Sequence, residues 1–337
     1  MKILSIVVPC YNSESYIQRC LDSLLEAECD DLEIIIVNDG SSDRTPEIAD
    51  AYARKYSETV KSVHRPNGGH GAAINTGLES VSGAFFKIVD SDDWVSPNAL
   101  KLTIEALRPY ADGSLDLFIS NFVYEKENKK HKKVMSFEGF LPQDRIFRWS
   151  EAGRFRVGRY MLMHALTYRT SLLKEIHFHL PEHTFYVDNL YAYTPLPKVK
   201  TLFYLNTDLY HYYIGRADQS VNEKVMLKRI DQQLKVNKLM AQEVCISNIN
   251  DPKIRAYMLK YLEIVTTVSS IMALRANNAE NLEKKKQLWM FLKDTDKAAY
   301  KKLRMGLLGI GLHLRGSIGR GIALSVYYTT QKIVGFN

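Results

Sequence analysis

The first 120 residues alternate short, continuous runs of apolar, often β-branched residues with stretches of helical periodicity. The predicted strands are residues 3–8, 33–38, 60–64 and 84–89, and the helices between them are predicted at 14–25, 45–56 and 71–81. Because continuous apolar runs are typical of strands buried on both faces, this pattern predicts an α/β fold with a mostly parallel sheet. Ligands bind beyond the carboxyl ends of such strands. The loops at 9–14, 39–43 and 90–93 are therefore predicted to face one crevice.

The rest of the chain divides into two stretches. A length of 337 residues predicts about two domains, and a hydrophobic content of 46% with 25% charged residues excludes a disordered chain. The charged run at 125–133 is predicted to be a solvated hairpin or loop rather than a nucleic-acid site. Residues 221–337 have helical periodicity, so the domain boundary is predicted near residue 220.

Basic charge is concentrated at the end of the chain. Residues 284–337 contain eleven Lys or Arg and two acids, a net charge of +9 in a chain whose net charge is +7. This basic tail includes short apolar pieces, and it predicts either a helical segment lying on an anionic membrane surface or a helical subdomain with one basic face.

Nothing in the sequence predicts secretion or a membrane span. The four cysteines lack metal-binding spacing, which is typical of a reduced, cytosolic chain. The N-terminal apolar run stops at Pro9, too early for a signal peptide, and no apolar run reaches about 18 residues. The predicted location is cytoplasmic.

Acidic side chains follow two of the predicted strands. Asp90, Asp92 and Asp93 lie within four positions, and their mutual repulsion favours a bound divalent cation. The alternative for this segment alone is a turn followed by a helix cap at Ser96. Asp39 follows another strand and could accept hydrogen bonds from a base or ribose. The aromatic ring of Tyr11 could stack on the base. With several such loops at one sheet edge, a binding site is favoured. The glycine patterns of a dinucleotide fold and of a P-loop are both absent after the first strand.

Four motifs occur in order: V-V-P-C-Y-N-S-E at 7–14, V-N-D-G-S-S-D at 37–43, N-G-G-H-G-A-A-I-N-T-G-L at 67–78 and D-S-D-D-W at 90–94. Together they resemble the family-2 glycosyltransferases, which are inverting enzymes with the GT-A fold. The resemblance is close over residues 1–110 and looser to about 220. It implies a GT-A catalytic domain at 1–220, with a nucleotide-sugar half at 1–110 and an acceptor half at 111–220, followed by the helical region at 221–337.

The resemblance also implies roles for individual residues. Asp92 would be a ligand of Mn²⁺ or Mg²⁺, and His211 could complete the metal shell. The residues implied to bind the nucleotide sugar are Pro9, Tyr11, Asn12, Glu14, Asp39, Asn67, Gly68, Gly69, Asp90, Ser91, Asp93 and Arg216. Within this set, Asp93 would reach the sugar hydroxyls, and Gly68 and Gly69 would line the donor with backbone N–H groups. Where family members often carry an Arg before the Asn of the third motif, this chain has Ile74.

An inverting transferase needs a general base that deprotonates the acceptor. By resemblance this base is Asp188, with Val187 where the family often has a first acid, and Glu182 as the fallback. His164, among apolar residues, is predicted to be a core residue whose hydrogen bonds are satisfied.

The sequence therefore predicts an inverting, metal-dependent glycosyltransferase on the cytosolic membrane face. Its predicted partners are a nucleotide-diphosphate sugar, with UDP as the expected nucleotide, a glycan or lipid-linked acceptor, and an anionic membrane surface contacted by the basic tail. A homo-oligomer is left open, and nucleic acid is not an expected partner. Two alternatives are a polyprenyl-phosphate glycosyltransferase, whose anionic acceptor needs no base, and a non-catalytic nucleotide-sugar-binding scaffold at the membrane.

Overall fold

The computed structural model describes residues 2–126, 132–155, 160–215, 219, 222–314 and 316–334. The chain forms two compact units. The first comprises Met1–Arg154 with Met161–Ile214, and the second comprises Phe155–Tyr160 with Gly215–Asn337. The domain boundary at residue 220 stays a prediction.

Every strand in the described part of the chain belongs to the first unit. They are β1 (Leu4–Cys10), β2 (Leu32–Asn38), β3 (Val60–His64), β4 (Phe85–Ile88), β5 (Trp94–Val95), β6 (Leu117–Lys126), β7 (Lys133–Met135), β8 (Ile146–Phe147), β9 (Leu166–Arg169) and β10 (Leu202–Ile214). The α-helices of this unit are α1 (Ile17–Leu25), α2 (Thr45–Lys55), α3 (His70–Ser80), α4 (Pro97–Leu107), α5 (Thr170–Glu175) and α6 (Asp188–Tyr193).

One sheet organises the first unit, in the strand order β3-β2-β1-β4-β9-β6-β10-β5, with β7 beside β6 and β8 beside β10. Strands β1 to β4 pair in parallel, as do β6 and β10, whereas β9 pairs antiparallel with both β4 and β6. The predicted mostly parallel α/β sheet is confirmed. The charged run begins in β6 and ends in β7, which pair antiparallel, so its described ends form the predicted hairpin.

The apolar runs are buried because helices cover the sheet. All seven residues of β1 and of β2 are buried, including one acid, Glu33. Burial opposes a charge on Glu33, but hydrogen bonds from Lys61, Ser5 and Ser82 outweigh it and lower its pKa to about 2. The β1–β2 register pairs Cys10 with Asn38, so these strands end side by side.

The second unit is helical, as the periodicity predicted. Its helices are α7 (Glu223–Lys228), α8 (Ile230–Glu243), α9 (Pro252–Ala276), α10 (Ala279–Thr295), α11 (Lys297–Met305), α12 (Leu307–Leu312) and α13 (Gly316–Val334). Buried polar pairs join them, such as Asn237 of α8 to Thr266 of α9 at 3.1 Å and Trp289 of α10 to Ser270 of α9 at 3.0 Å. Within the described part of the chain, no helix has the length and apolar content needed to cross a membrane.

Candidate active site

The loops after β1 and β2 are tied to each other by hydrogen bonds. The Asn12 N–H donates to Ser41 Oγ at 3.0 Å, and the Ser42 N–H donates to Asn12 Oδ1 at 2.9 Å. The Arg44 N–H donates to Glu14 Oε2 at 3.0 Å. The polar side chains of Asn12 and Glu14, predicted to bind the donor, therefore hold these two loops together in the structure.

Two other residues of the first motif differ in exposure. Pro9 is buried inside β1, where it pairs with Val37 of β2. Tyr11, the first residue after β1, is 54% exposed and therefore accessible for stacking on a base. The donor-binding roles of both residues stay predictions.

Asp39 lies at the end of β2 and is the centre of a buried hydrogen-bond cluster. Its carboxylate accepts hydrogen bonds from the Gly68 N–H at 2.9 Å, the Gly69 N–H at 2.7 Å and Arg65 Nη1 at 3.1 Å. Arg65 also donates to Glu182 at 3.1 Å, so it joins two carboxylates that are far apart in sequence. The N–H groups predicted to line the donor are thus directed at Asp39. Sequence reasoning missed Arg65, which follows β3 and reaches the same edge of the sheet.

The turn after Asp39 requires a glycine. Gly40 has a φ of 74°, and a Cβ there would lie 2.8 Å from the backbone nitrogen of Asn67. The Asn67 amide in turn donates to the Asp39 carbonyl at 3.0 Å. The predicted donor-binding loop at 67–69 is therefore packed directly on the loop after β2.

The acidic segment after β4 divides into residues with different surroundings. Asp90 accepts a hydrogen bond from His70 Nε2, the two atoms lying 2.8 Å apart. Ser91 Oγ lies 2.8 Å from Ser13 Oγ and so connects the segment to the loop after β1. Asp92 is partly exposed, and its backbone carbonyl accepts a hydrogen bond from Arg19 at 3.1 Å.

Asp93 lies in the core, in contrast to the prediction that it reaches the sugar hydroxyls. It has no exposed surface, and it accepts hydrogen bonds from the Tyr210 hydroxyl at 2.6 Å and the Tyr213 N–H at 2.7 Å. Burial raises the pKa of Asp93 well above its ordinary value, and the carboxylates of Asp92 and Asp90 add to the effect. The position follows from the turn in which the Asp93 N–H donates to the Asp90 carbonyl, which directs the Asp93 side chain toward β10.

His70 was not among the predicted site residues, although it lies at the first position of α3. Burial opposes a charge on its ring, but the Asp90 carboxylate outweighs burial and raises the pKa of His70. The same ring interacts electrostatically with Asp188. The signal that could have found it is the imidazole within G-G-H-G, at the start of a helix that begins at the ligand-binding edge of the sheet.

Asp188 is the first residue of α6 and is partly buried. Burial raises the pKa of Asp188 to about 6; the positive charge of His70 lowers it and the negative charge of Asp90 raises it. The structure therefore brings Asp188, the predicted base, to Asp90 and His70. The fallback base Glu182 is exposed and paired with Arg65.

His164 is buried, as predicted, but its hydrogen bonds are not satisfied, so that part of the prediction is wrong. Among the described residues, no partner is found for its Nδ1. Its ring packs on Tyr210 and Tyr212, with centroids 4.6 and 4.2 Å away. Burial lowers the pKa of His164 to about 4, which keeps the ring neutral and able to coordinate a metal. Local sequence could not reveal this because the surrounding rings come from β10.

One cluster in the described part of the chain has the spacing of a metal site. Ligand atoms of Asp90, Asp93 and His164 all lie within 4.8 Å of one another. Carboxylate oxygens suit Mn²⁺ and Mg²⁺, and the unpartnered imidazole nitrogen could complete the set, so these residues fit a divalent cation.

This cluster contains neither predicted metal ligand, Asp92 or His211. His211 Nδ1 lies 2.8 Å from Glu125, and its ring stacks on Trp94 with centroids 5.5 Å apart. Arg216, predicted to contact the diphosphate, lies outside the described residues.

The sheet and the motif-bearing loops at the ends of its strands define a GT-A type of fold, and comparisons with known proteins agree with it. Residues 5–170 match the model of glycosyl transferase family 2. The chain therefore carries a domain of this family, as the resemblance implied.

The chain is also similar to individual proteins. It is 32% identical over 233 residues to the putative glycosyltransferase EpsH of Bacillus subtilis, a match that covers 63% of this chain and 60% of EpsH. The match thus spans less than two thirds of the length of EpsH.

Two solved structures share the fold. S. aureus TarS 1-349 in complex with UDP-GlcNAc has a TM-score of 0.70 at 21% identity, over 98% of this chain and 91% of that chain. The mannosyltransferase PcManGT from Pyrobaculum calidifontis, in complex with GDP-Man and Mn²⁺, has a TM-score of 0.54 at 15% identity, over 99% of this chain and 84% of that chain. At these identities the likeness shows a common GT-A-type fold.

Proposed function

We propose that this protein is an inverting, metal-dependent glycosyltransferase that transfers a sugar from UDP to a hydroxyl of a growing, lipid-linked surface glycan. The observation that carries the proposal is the position of Asp188 beside Asp90 and His70, with its pKa raised to about 6. A carboxylate whose pKa lies near neutral pH is suited to general-base catalysis. The fold shared with a UDP-GlcNAc complex supports the nucleotide-sugar donor.

In the proposed reaction, the acceptor oxygen attacks the anomeric carbon of the donor while its proton moves to Asp188. The bond between the anomeric carbon and the diphosphate oxygen breaks, and its electron pair leaves with UDP. Attack opposite to the leaving group inverts the configuration. Asp188 fits the base because partial burial makes its ionised form a stronger proton acceptor than an exposed aspartate.

The proposed donor site lies at the loops after β1, β2 and β4. Tyr11 would stack on the base, and Asp39, held by Arg65 and two backbone N–H groups, would position it. Pro9, Asn12, Glu14 and Asn67 would shape the pocket through the contacts between their loops.

A divalent cation, Mn²⁺ or Mg²⁺, would supply positive charge to the leaving diphosphate. Asp90, Asp93 and His164 are the ligand set that the spacing supports. Asp92 and His211 are the set that the resemblance implies, with Asp90 then binding the ribose or the donor sugar. A neighbour of the same fold that binds Mn²⁺ supports the requirement for a cation.

Calorimetry of UDP with and without Mn²⁺ tests the donor and metal parts of this proposal. We expect UDP binding to the wild type to require Mn²⁺. If Asp92 is a metal ligand, Asp92→Ala should abolish this Mn²⁺-dependent binding of UDP. His164→Gln and His211→Gln then distinguish the two histidines, because only the ligand should weaken Mn²⁺-dependent binding. Asp30→Asn, an exposed carboxylate before β2, is the matched control. Failure of UDP to bind in every condition would contradict a UDP-sugar donor.

Transfer assays test the catalytic part. Loss of transfer with retained UDP binding in Asp188→Asn would support the base. Full activity of that variant would favour a polyprenyl-phosphate acceptor, and UDP binding without transfer to any acceptor would favour the scaffold alternative.

A further inference from the structure

The second unit displays an unusual concentration of exposed apolar side chains around α12. Met305, Leu307, Ile310 and Leu314 are 63%, 88%, 51% and 40% exposed, and we call these four residues the α12 patch. No other large apolar side chain in the described part of the chain is as exposed as Leu307. Leu307 and Ile310 are three residues apart and therefore project from one face of the helix. Clustered apolar exposure of this kind marks an interaction site.

Leu307 and Ile310, the two patch residues within α12, lie on a helix that is held firmly on its inner side. Gly309 and Leu312 are buried, and the Leu312 carbonyl accepts a hydrogen bond from Lys285 at 2.7 Å. His313 Nδ1 lies 2.7 Å from the Gly309 carbonyl, and its ring meets Trp289 edge-on with centroids 4.4 Å apart. Because α12 is fixed by these contacts, the exposure of its outer face is part of the folded structure rather than the result of a frayed end.

The segment of the chain that carries the α12 patch is basic. Residues 297–314 contain four basic residues and no acid, and Lys297, Lys301 and Lys302 are all exposed. On the neighbouring helix α9, Glu263 approaches Gly306, but burial raises its pKa and so disfavours a negative charge there. The patch is thus an apolar face with a basic rim.

We propose that the α12 patch inserts into an anionic lipid bilayer, with Leu307 and Ile310 among the acyl chains and Lys301 and Lys302 at the headgroups. Apolar side chains beside a basic face are the features of helices that lie in the membrane interface. The basic residues favour an anionic lipid surface over a second copy of the chain, because a symmetric contact between two copies would bring two sets of positive charges together. The proposal rests on the lipid-linked acceptor of the proposed function and identifies the surface that would hold the protein at the membrane where such an acceptor lies.

Vesicle sedimentation with the full-length protein tests the proposal. We compare vesicles containing an anionic lipid, phosphatidylglycerol, with vesicles of phosphatidylcholine alone, using wild type, Leu307→Ser/Ile310→Ser and Lys301→Gln/Lys302→Gln. Leu102→Ser is the matched control, because Leu102 is 51% exposed on α4 of the first unit. We expect the wild type and Leu102→Ser to bind anionic vesicles equally and each double variant to bind at least ten-fold more weakly.

Two further measurements separate the other outcomes. A Leu307→Trp variant should gain fluorescence that brominated anionic lipids quench, which reports insertion directly. If Leu307→Ser/Ile310→Ser keeps full vesicle binding, the proposal is wrong; if that variant also changes the sedimentation coefficient from oligomer to monomer, the patch is a contact between copies. Calorimetry of UDP on the same variants should be unchanged, so failure of the donor site is distinguishable from failure of the membrane surface.

Discussion

The acid limb of the pH-rate profile is the most direct measure of the pKa of Asp188 and of its role as the base. Burial raises the pKa of this carboxyl from 3.8 to about 6, and only the ionised form can accept a proton from the acceptor. We therefore expect kcat/KM to fall about ten-fold for each pH unit below about 6, whereas an unperturbed aspartate would sustain activity to about pH 4.

The same shift has a consequence for stability. A rise of about two pKa units means that the folded state disfavours the ionised Asp188 by roughly 3 kcal/mol at most, and partial exposure reduces the effect. Since an acid with a raised pKa lowers stability above that pKa, Asp188→Asn should increase the free energy of unfolding at pH 8 by about 1–3 kcal/mol. The same variant should lose about 10²–10⁴-fold in kcat.

The assay measures initial rates of UDP release from the donor with acceptor between pH 4.5 and 8.5, alongside urea denaturation at pH 8. Asp30→Asn serves as the control, and we expect it to change neither the acid limb nor the stability by more than about 0.5 kcal/mol. Values of kcat/KM that do not fall between pH 6 and pH 4.5, or a limb near pH 6 that persists in Asp188→Asn, would refute the assignment of this carboxylate as the base.

Three further predictions concern the first unit. Asp39→Asn should weaken UDP binding by about 10–100-fold in calorimetry, because charge-assisted hydrogen bonds such as those that Asp39 accepts contribute about 1.5–3 kcal/mol each. An unchanged Kd for UDP would contradict the place of Asp39 in the donor site. Glu33→Gln should lower the free energy of unfolding at pH 7, measured by urea denaturation, by about 3 kcal/mol, because a folded pKa of about 2 stabilises the protein above about pH 4.5. The difference between wild type and variant should shrink as the pH falls toward 2, and its persistence there would disprove the electrostatic cause. Gly77→Ala should lower the free energy of unfolding by about 1–3 kcal/mol, because its Cβ would overlap the side chain of Val7. Gly311→Ala, with open space around its Cβ, is the control and should lower it less. Equal thermal stabilities of the two variants would disprove the overlap.

Short-range patterns predicted much of the first half of the fold. The strand at 60–64 matches the structure residue for residue, and the helix expected at 71–81 begins at His70 and ends at Ser80. Such elements are readable because continuous apolar runs and helical periodicity are local properties of the chain. The sheet edge that gathers the acidic loops followed from the parallel connection of these elements.

The individual contacts in the site were less predictable. His70 reaches Asp90 across 20 residues, Arg65 reaches Glu182 across 117, and Tyr210 reaches Asp93 across 117. These pairs depend on which strands become neighbours, and no local pattern encodes that choice.

The sequence by itself determined the α/β class, the order of the first four strands' motifs and the edge of the sheet where the chemistry should lie. Only the tertiary structure decided the environment of each acid. Because β9 lies between β4 and β6, with β10 on the far side of β6, the Tyr210 hydroxyl and His164 come to the acidic segment. Asp93 is therefore buried, Asp90 is paired with His70, and Asp188 is held at a pKa of about 6. The physical reason is that the ionisation of a carboxyl depends on burial and on neighbouring charges, and both come from residues distant in sequence.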